Sequence, residues 1–219
     1  MKTIESDGLL YCLLLIVSLY PAELNSQLLK TNSELDTRVE KFLAEQAGSW
    51  HDLNVPESDG KLLYDLILKG GYKSALEIGT STGYSAIYIA WALSKTGGKL
   101  ITIEIDESRH KTALGNFRKA GLSEYIDARL ADAHTLVKEL KGPFDFVFSD
   151  ADKGRLKNYF TDIDPKLIVG GCYTTHNISR RSFYGQQSFL EYIESLSNYE
   201  STLNTSGAGM LISYKRSEK

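Results

Sequence analysis

The sequence predicts an α/β domain with a mainly parallel sheet and helices on both faces of that sheet. Short apolar runs typical of strands alternate with longer segments of helical periodicity through most of the chain. A glycine-rich turn, Gly79 to Gly83, joins the first strand to a helix. Polar or glycine residues follow each of the next strands, at the sheet edge where α/β folds bind ligands.

The predicted elements follow one another in a regular order. Two helices, over 36–47 and 58–68, each carry apolar residues on one face. Pairs of a strand and a helix then follow at 74–78 and 83–94, 100–104 and 107–120, 126–130 and 133–140, 144–149 and 153–163, and 167–174 and 184–196. Gly121 caps the helix that ends at 120. The last apolar segments, 199–203 and 209–214, are joined by a turn-rich link and predict a closing antiparallel hairpin.

Length, charge and cysteine content narrow the class of protein. A chain of 219 residues is within the range of one α/β domain and can bury a substantial core. Its net charge of −3 gives no indication of a nucleic-acid partner. Cys12 and Cys172 form no disulfide framework, so we expect reduced thiols and a cytoplasmic enzyme.

The first 35 residues are predicted to form an apolar, helical extension before a domain at 36–219. Leu9 to Tyr20 is a dense apolar run, too short for an ordinary transmembrane helix of about 20 residues. It has the length of the apolar part of a signal peptide, but Lys2 is balanced by Glu5 and Asp7. Two interpretations of this segment stay open. It could mark an exported or membrane-associated protein, or it could be an extra helix packed on the domain or on a partner subunit. Stable membrane insertion is not expected.

The first glycine-rich turn reads Glu77-Ile-Gly-Thr-Ser-Thr-Gly-Tyr-Ser85. Gly79 and Gly83 carry no Cβ, so the backbone can turn tightly and approach a ligand. The following helix offers free N–H groups at its N-terminus to a carboxylate or phosphate. The next strand ends on Glu104, which can accept both ribose hydroxyls of a nucleoside. These features fit S-adenosylmethionine or a nicotinamide dinucleotide, and the glycine spacing disfavours the dinucleotide.

The segment Asp150-Ala-Asp-Lys153 is the sharpest chemical signal, because it follows an apolar strand directly. Asp150 could supply an oxygen ligand to a hard divalent cation. Lys153 could act as a general base if burial beside a metal lowered its pKa. The alternative is a helix N-terminus that carries acids favoured by the helix dipole, which does not explain Lys153.

The motif from Glu77 to Ser85 resembles the first motif of class I S-adenosylmethionine-dependent methyltransferases. It is most similar to that of the metal-dependent O-methyltransferases, the catechol and caffeoyl-coenzyme A group. The resemblance covers the chain from about Asp36 to Lys215. It implies a Rossmann-like class I methyltransferase fold, with a mainly parallel seven-stranded sheet and a C-terminal antiparallel hairpin. We also expect a homodimer.

The resemblance assigns parts of the donor to particular residues. Ser85 and the backbone near it would hold the methionine carboxylate, and the turn from Asp132 to His134 would lie against the adenine. Ser85 and Asp132 could instead serve only as helix-start residues, Glu104 only as a cap, and His134 as a surface histidine. The implied cofactor-binding residues are Asn54, Val55, Glu77, Gly79, Gly83, Tyr84, Ser85, Glu104, Asp132, Ala133 and Asp150.

The resemblance also implies a metal centre. This sequence differs from the family's pattern of metal ligands at one position. Asp150 would be a metal ligand, and Lys153 would assist deprotonation of the acceptor hydroxyl. The family normally has Asp-Asn where this chain has His176-Asn177. Because imidazole is neutral and softer than carboxylate, Asp150, His176 and Asn177 should hold Mg²⁺ weakly and Mn²⁺ or Co²⁺ better. A loop histidine without a metal is the alternative.

Together these residues predict an O-methyltransferase that acts on a hydroxyl of a small, catechol-like molecule. It would use S-adenosylmethionine and a divalent metal. Arg180 and Arg181 could attract an anionic acceptor or form only a solvated surface. A regulatory or interaction protein that binds S-adenosylmethionine without transfer is the second hypothesis, which His176 permits and Lys153 disfavours.

Overall fold

The computed structural model describes residues 29–179 and 186–218. Within these ranges seven strands form one sheet in the order β3-β2-β1-β4-β5-β7-β6. The strands are β1 (Ser74–Ile78), β2 (Lys99–Glu104), β3 (Ile126–Leu130), β4 (Phe144–Ser149), β5 (Leu167–His176), β6 (Tyr199–Asn204) and β7 (Met210–Lys215). The predicted seven-stranded sheet with a C-terminal hairpin is confirmed.

The direction of the strands places a cleft at the centre of the sheet. The pairs β1–β2, β1–β4, β2–β3 and β4–β5 are parallel, whereas β7 runs antiparallel to both β5 and β6. The chain moves outward from β1 to β3 and then returns to the other side of β1 with β4. A strand order that reverses in this way opens a crevice at the C-terminal ends of β1, β2 and β4.

Among the described residues, two helices precede β1, and five more each follow one of the strands β1 to β5. They are α1 (Ser33–Glu45), α2 (Glu57–Gly70), α3 (Tyr84–Thr96), α4 (Glu107–Ala120), α5 (Ala133–Glu139), α6 (Leu156–Ile163) and α7 (Gln186–Glu194). The helix predicted at 36–47 begins earlier, because the Asn32 side chain accepts the N–H of Leu35 at 3.0 Å and caps α1. The helix predicted at 153–163 starts instead with a separate 3₁₀ turn, Lys153–Arg155.

Two apolar clusters hold the helices to the two faces of the sheet. In β4, Phe146 and Phe148 belong to the cluster under α1 to α4, and Val147 belongs to the opposite cluster. Burial on both faces is typical of the central strands of a parallel sheet. It explains why β4 reads as a nearly continuous apolar run.

Part of the predicted N-terminal extension lies outside the described residues, including the apolar run Leu9 to Tyr20. The α1 helix begins at Ser33, so the predicted domain boundary at 35–36 falls inside this helix. Among residues 29–179 and 186–218, we find no helix with the length and apolar character needed to cross a bilayer.

Candidate active site

A cavity of about 260 Å³ lies beyond the C-terminal ends of β1 to β4. It opens at the C-terminal ends of the strands, where the sequence predicts ligand binding. The predicted cofactor residues that line it are Gly79, Glu104, Asp132, Ala133 and Asp150. Leu53, next to the predicted Asn54 and Val55, and His134, in the turn predicted to lie against the adenine, also line it. The lining residues that the sequence did not assign to the cofactor are Ser81, Ile103, Ile105, Arg109, Ala131, Ala151, Asp152 and Tyr159.

Glu104 stands at the end of β2 as a fixed, buried carboxylate. Its Oε2 accepts the backbone N–H of Ser81 at 2.7 Å. Its Oε1 accepts the N–H groups of Ile105 at 3.1 Å and Asp106 at 3.0 Å. An ionised carboxylate has about four acceptor sites, so capacity is left for further donors in the cavity. Three backbone donors therefore fix an acceptor for a ligand.

The two turn glycines serve different purposes. Gly79 has φ of +99°, and a Cβ at this position would lie 2.6 Å from the carbonyl oxygen of Asp150. Gly83 has φ of +97°, and a Cβ there would lie 2.5 Å from the ring of Phe117 on α4. Both positions are in the left-handed region that favours glycine. Gly79 thus allows the turn to meet the end of β4, and Gly83 allows α3 to pack closely on α4.

Glu77 and Ser85 lie beneath the turn and do not line this cavity. The Ser85 hydroxyl donates to Glu77 Oε1 at 2.6 Å, and the Thr102 hydroxyl donates to Glu77 Oε2. Burial raises the pKa of Glu77 to about 8, against the effect of these hydrogen bonds. The Ser85 side chain is therefore engaged with Glu77, a neighbour that the sequence did not predict.

Asn54, Val55 and Tyr84 also lie elsewhere. Asn54 Nδ2 donates to Thr82 Oγ1 at 2.8 Å, which ties the loop before α2 to the glycine turn. Val55 and Tyr84 line a second cavity of about 750 Å³, formed between α1, α2 and α3. Aromatic rings dominate this cavity, and the rings of Trp50 and Tyr84 lie 4.6 Å apart.

The turn after β3 combines capping with cavity lining. Asp132 Oδ1 accepts the N–H of His134 at 2.8 Å, so Asp132 does cap α5. The His134 ring stacks on Tyr159, with centroids 5.6 Å apart and planes at 16°. Both rings reach the cavity. A planar group could stack at this wall.

Four ionisable side chains contact one another in a line that starts at α2, and of these Asp150 lines the cavity. We call this line the ionic chain: Asp59, His176, Asp150 and Lys153. His176 Nε2 lies 2.8 Å from Asp59 Oδ2, and Nδ1 lies 3.1 Å from Asp150 Oδ2. Lys153 Nζ contacts Asp150 Oδ1 and donates to the His176 carbonyl oxygen at 3.2 Å. The sequence predicted three of these residues as site residues and missed Asp59, which looks like an ordinary acid in the first turn of a helix.

Opposing influences act on the pKa values in the ionic chain. Burial by itself would raise the pKa of Asp150, but His176 and Lys153 outweigh it and hold this pKa below its usual value. Burial by itself would lower the pKa of His176, but Asp150 and Asp59 outweigh it and raise this pKa. The lowered pKa of Asp150 and the raised pKa of His176 both favour the ionised forms of these side chains.

The described contacts do not fit a divalent cation held by Asp150, His176 and Asn177. Both ring nitrogens of His176 face carboxylate oxygens, and Nδ1 is buried. Lys153 contacts the other oxygen of Asp150. Asn177 has φ of +58°, and its carbonyl oxygen accepts the side-chain N–H of Gln186 at 3.2 Å. In residues 29–179 and 186–218, no group of three or more His, Cys, Asp and Glu side chains is arranged to hold a metal ion.

Two non-glycine residues that line the cavity, Leu53 and Ser81, have left-handed backbone. The non-glycine residues with positive φ in the described ranges are Asp52, Leu53, Ser81 and Asn177. Arg109 pairs with Asp52 at 3.0 Å and holds the loop before α2 over the glycine turn. Leu53 and Ile105 at the cavity are 75% and 69% exposed. Such backbone is found at ligand sites, where surrounding structure maintains it. The predicted Arg180 and Arg181 lie outside the described residues.

Comparison with known proteins identifies the family. A family model described as O-methyltransferase matches residues 27–181. The chain belongs to the O-methyltransferase family. A catechol O-methyltransferase of Niastella koreensis is 40% identical over 112 residues, which are 49% of this chain and 50% of that protein. A caffeoyl-CoA O-methyltransferase of Eucalyptus gunnii is 29% identical over 175 residues, 78% of this chain and 66% of that protein. The matches thus span between half and two thirds of these relatives.

Solved O-methyltransferases share the fold. The O-methyltransferase from Bacillus cereus in complex with SAH has a TM-score of 0.69 and 27% identity, and covers 87% of this chain and 94% of its own. The O-methyltransferase TomG from Streptomyces achromogenes in complex with SAM has a TM-score of 0.70 and 27% identity, and covers 88% and 93%. The predicted Rossmann-like methyltransferase fold is confirmed.

Proposed function

We propose that this chain transfers the methyl group of S-adenosylmethionine to a hydroxyl group of a small, catechol-like acceptor. The observation that carries the proposal is Glu104, a buried carboxylate fixed by three backbone donors beside the glycine turn. It has the position and the acceptor capacity to bind ribose hydroxyls. Family membership and the SAM and SAH complexes of related enzymes support the same donor.

The charge of the cavity suits this donor. Glu104, Asp132, Asp150 and Asp152 line it, and Arg109 is the one lysine or arginine among its described lining residues. S-adenosylmethionine carries a sulfonium, and a cavity with an excess of carboxylates attracts a cation. The wall formed by His134 and Tyr159 offers a flat surface for the adenine.

The transfer is an in-line displacement. The acceptor oxygen forms a bond to the methyl carbon as the bond from sulfur to carbon breaks, and S-adenosylhomocysteine leaves. The hydroxyl proton must leave the acceptor oxygen, and we assign its removal to the neutral form of Lys153, whose Nζ contacts Asp150 beside the cavity. Correct placement of donor and acceptor supplies much of the rate enhancement in such reactions. No step is assigned to the divalent metal that the resemblance implies, because the described contacts of Asp150 and His176 do not fit it.

Two measurements test the proposed function. Calorimetric titration should detect binding of S-adenosylmethionine and none of NAD, because the turn lacks the dinucleotide glycine spacing. Labelled S-adenosylmethionine should then transfer its methyl group to members of a panel of catechols and phenols. Absence of donor binding would refute the proposal. Donor binding without transfer to any acceptor would favour the regulatory alternative.

A further inference from the structure

We infer that this chain works without a divalent cation, and that the ionic chain Asp59–His176–Asp150–Lys153 stands where its relatives are expected to hold a metal. The consequence of this inference for catalysis rests on the proposed function. Its central observation, the occupation of His176 and Asp150 by charged partners, is independent of that function.

The first argument concerns the two nitrogens of His176. A metal ligand must direct an imidazole lone pair at the ion. Here Nε2 lies 2.8 Å from Asp59 and Nδ1 lies 3.1 Å from Asp150, although the Nδ1 contact is not an aligned hydrogen bond. Both nitrogens are therefore directed at carboxylate oxygens of the protein.

The second argument concerns charge. The side chains of Asp59, His176 and Asp150 are only 2%, 4% and 12% exposed. One oxygen of Asp150 contacts Lys153 and the other lies beside His176. A divalent cation at Asp150 would have to displace these partners, in a region with little solvent to compensate its charge.

The third argument concerns Asp59, which the fold fixes from several sides. Asp59 lies in the first turn of α2, and its Oδ2 also accepts the N–H of Ala208 at 3.0 Å. A Cβ at Gly207 would lie 1.6 Å from Asp59 Oδ1, so the turn between β6 and β7 closes directly on this carboxylate. Asp59 is therefore a positioning residue. It holds His176, which holds Asp150, whose other oxygen contacts Lys153.

Metal binding by the full chain is the decisive test. The protein is stripped with chelator and titrated with Mn²⁺, with and without S-adenosylmethionine, and bound metal is followed by electron paramagnetic resonance and calorimetry. We expect no stoichiometric binding by the wild-type chain and unchanged transfer in chelator. One Mn²⁺ bound by the wild-type chain and lost in His176→Ala would overturn the inference and make His176 a ligand. The titration does not require turnover, so failure of the proposed function leaves its result intact.

A pair of matched substitutions tests the role of Asp59. Asp59→Asn keeps the size of the side chain but removes the charge beside His176, and should lower kcat about tenfold or more while the affinity for S-adenosylmethionine stays unchanged. Asp164→Asn is the control, because Asp164 is a buried acid that accepts the Tyr199 hydroxyl at 2.7 Å and pairs with Lys215 at 3.5 Å. It should reduce stability and leave kcat unchanged. Equal effects of both substitutions on kcat would show that Asp59 has only a structural role.

Discussion

At the scale of single residues, two buried carboxyl groups near the glycine turn differ in the donors that surround them. Glu104 accepts three backbone N–H groups. Glu77 is enclosed with hydroxyl groups, and its pKa rises to about 8. The hydroxyl donors offset only part of the desolvation of the Glu77 carboxyl group. Glu104 and Glu77 therefore lead to different predictions, one for binding and one for stability.

Glu104→Ala should weaken binding of S-adenosylmethionine by about 1–3 kcal/mol, the scale of lost hydrogen bonds to a charged acceptor. Calorimetry measures this change directly. Glu107→Gln, at an exposed acid three positions along the chain, is the control and should bind the donor normally. Unchanged affinity in Glu104→Ala would remove Glu104 from the donor site.

Glu77 makes folding stability depend on pH. The unfolded carboxyl loses its proton above its usual pKa of 4.5, whereas the folded carboxyl keeps its proton up to about 8. The unfolded state thus binds fewer protons between these values, and the free energy of unfolding falls as pH rises, by up to about 1.4 kcal/mol per pH unit. Glu77→Gln should remove this slope in urea unfolding without cofactor, from about pH 5 to about pH 8. A slope unchanged from wild type would show that Glu77 is ionised in the folded state.

At the scale of elements, strand ends determine which side chains meet. The sequence predicted that β5 ends at 174, but pairing with β7 extends it, and His176 lies opposite Met210. This extension turns His176 from a loop residue into a buried strand residue next to α2. A separate 3₁₀ turn then places Lys153 beside Asp150.

Gly79→Ala should lower both donor affinity and stability, because the new Cβ would lie 2.6 Å from the Asp150 carbonyl in an unfavourable backbone conformation. Gly170→Ala is a matched control, since Gly170 also has positive φ, at +86°, but has no atoms near the added Cβ. It should cost only about 1–2 kcal/mol of backbone strain. Thermal unfolding and calorimetry separate the two effects. Equal donor affinity in both variants would show that the contact with Asp150 does not shape the site.

At the scale of the whole molecule, the reversal of strand order brings the donor turn and the ionic chain to one edge. Gly79 follows β1, Asp150 follows β4, and the two strands are neighbours. Asp59 and the turn at Gly207 reach the same place from α2 and from the C-terminal hairpin. This side of the cavity is thus assembled from segments distant in sequence.

Lys153→Met should reduce turnover by about 10²-fold or more and leave the affinity for S-adenosylmethionine nearly unchanged, because it removes the group assigned to the acceptor proton. Lys157→Met, at an exposed lysine on α6 whose Nζ lies 4.1 Å from the centre of the Tyr192 ring, is the control. It should turn over at the wild-type rate. Parallel loss of donor binding and turnover in Lys153→Met would assign Lys153 to the donor loop instead.

The sequence by itself determined the elements and the edge of the sheet that forms the cavity. Periodicity and glycine spacing are local properties, and parallel strands must bring their C-terminal ends to one edge. Gly79, Glu104 and Asp150 could therefore be predicted. Only the tertiary structure decided which buried partner each side chain meets. Asp59 and His176 are 117 positions apart, Ser85 turns to Glu77, and Tyr84 lines a second cavity. Such contacts depend on how helices pack across the sheet, which no local pattern encodes.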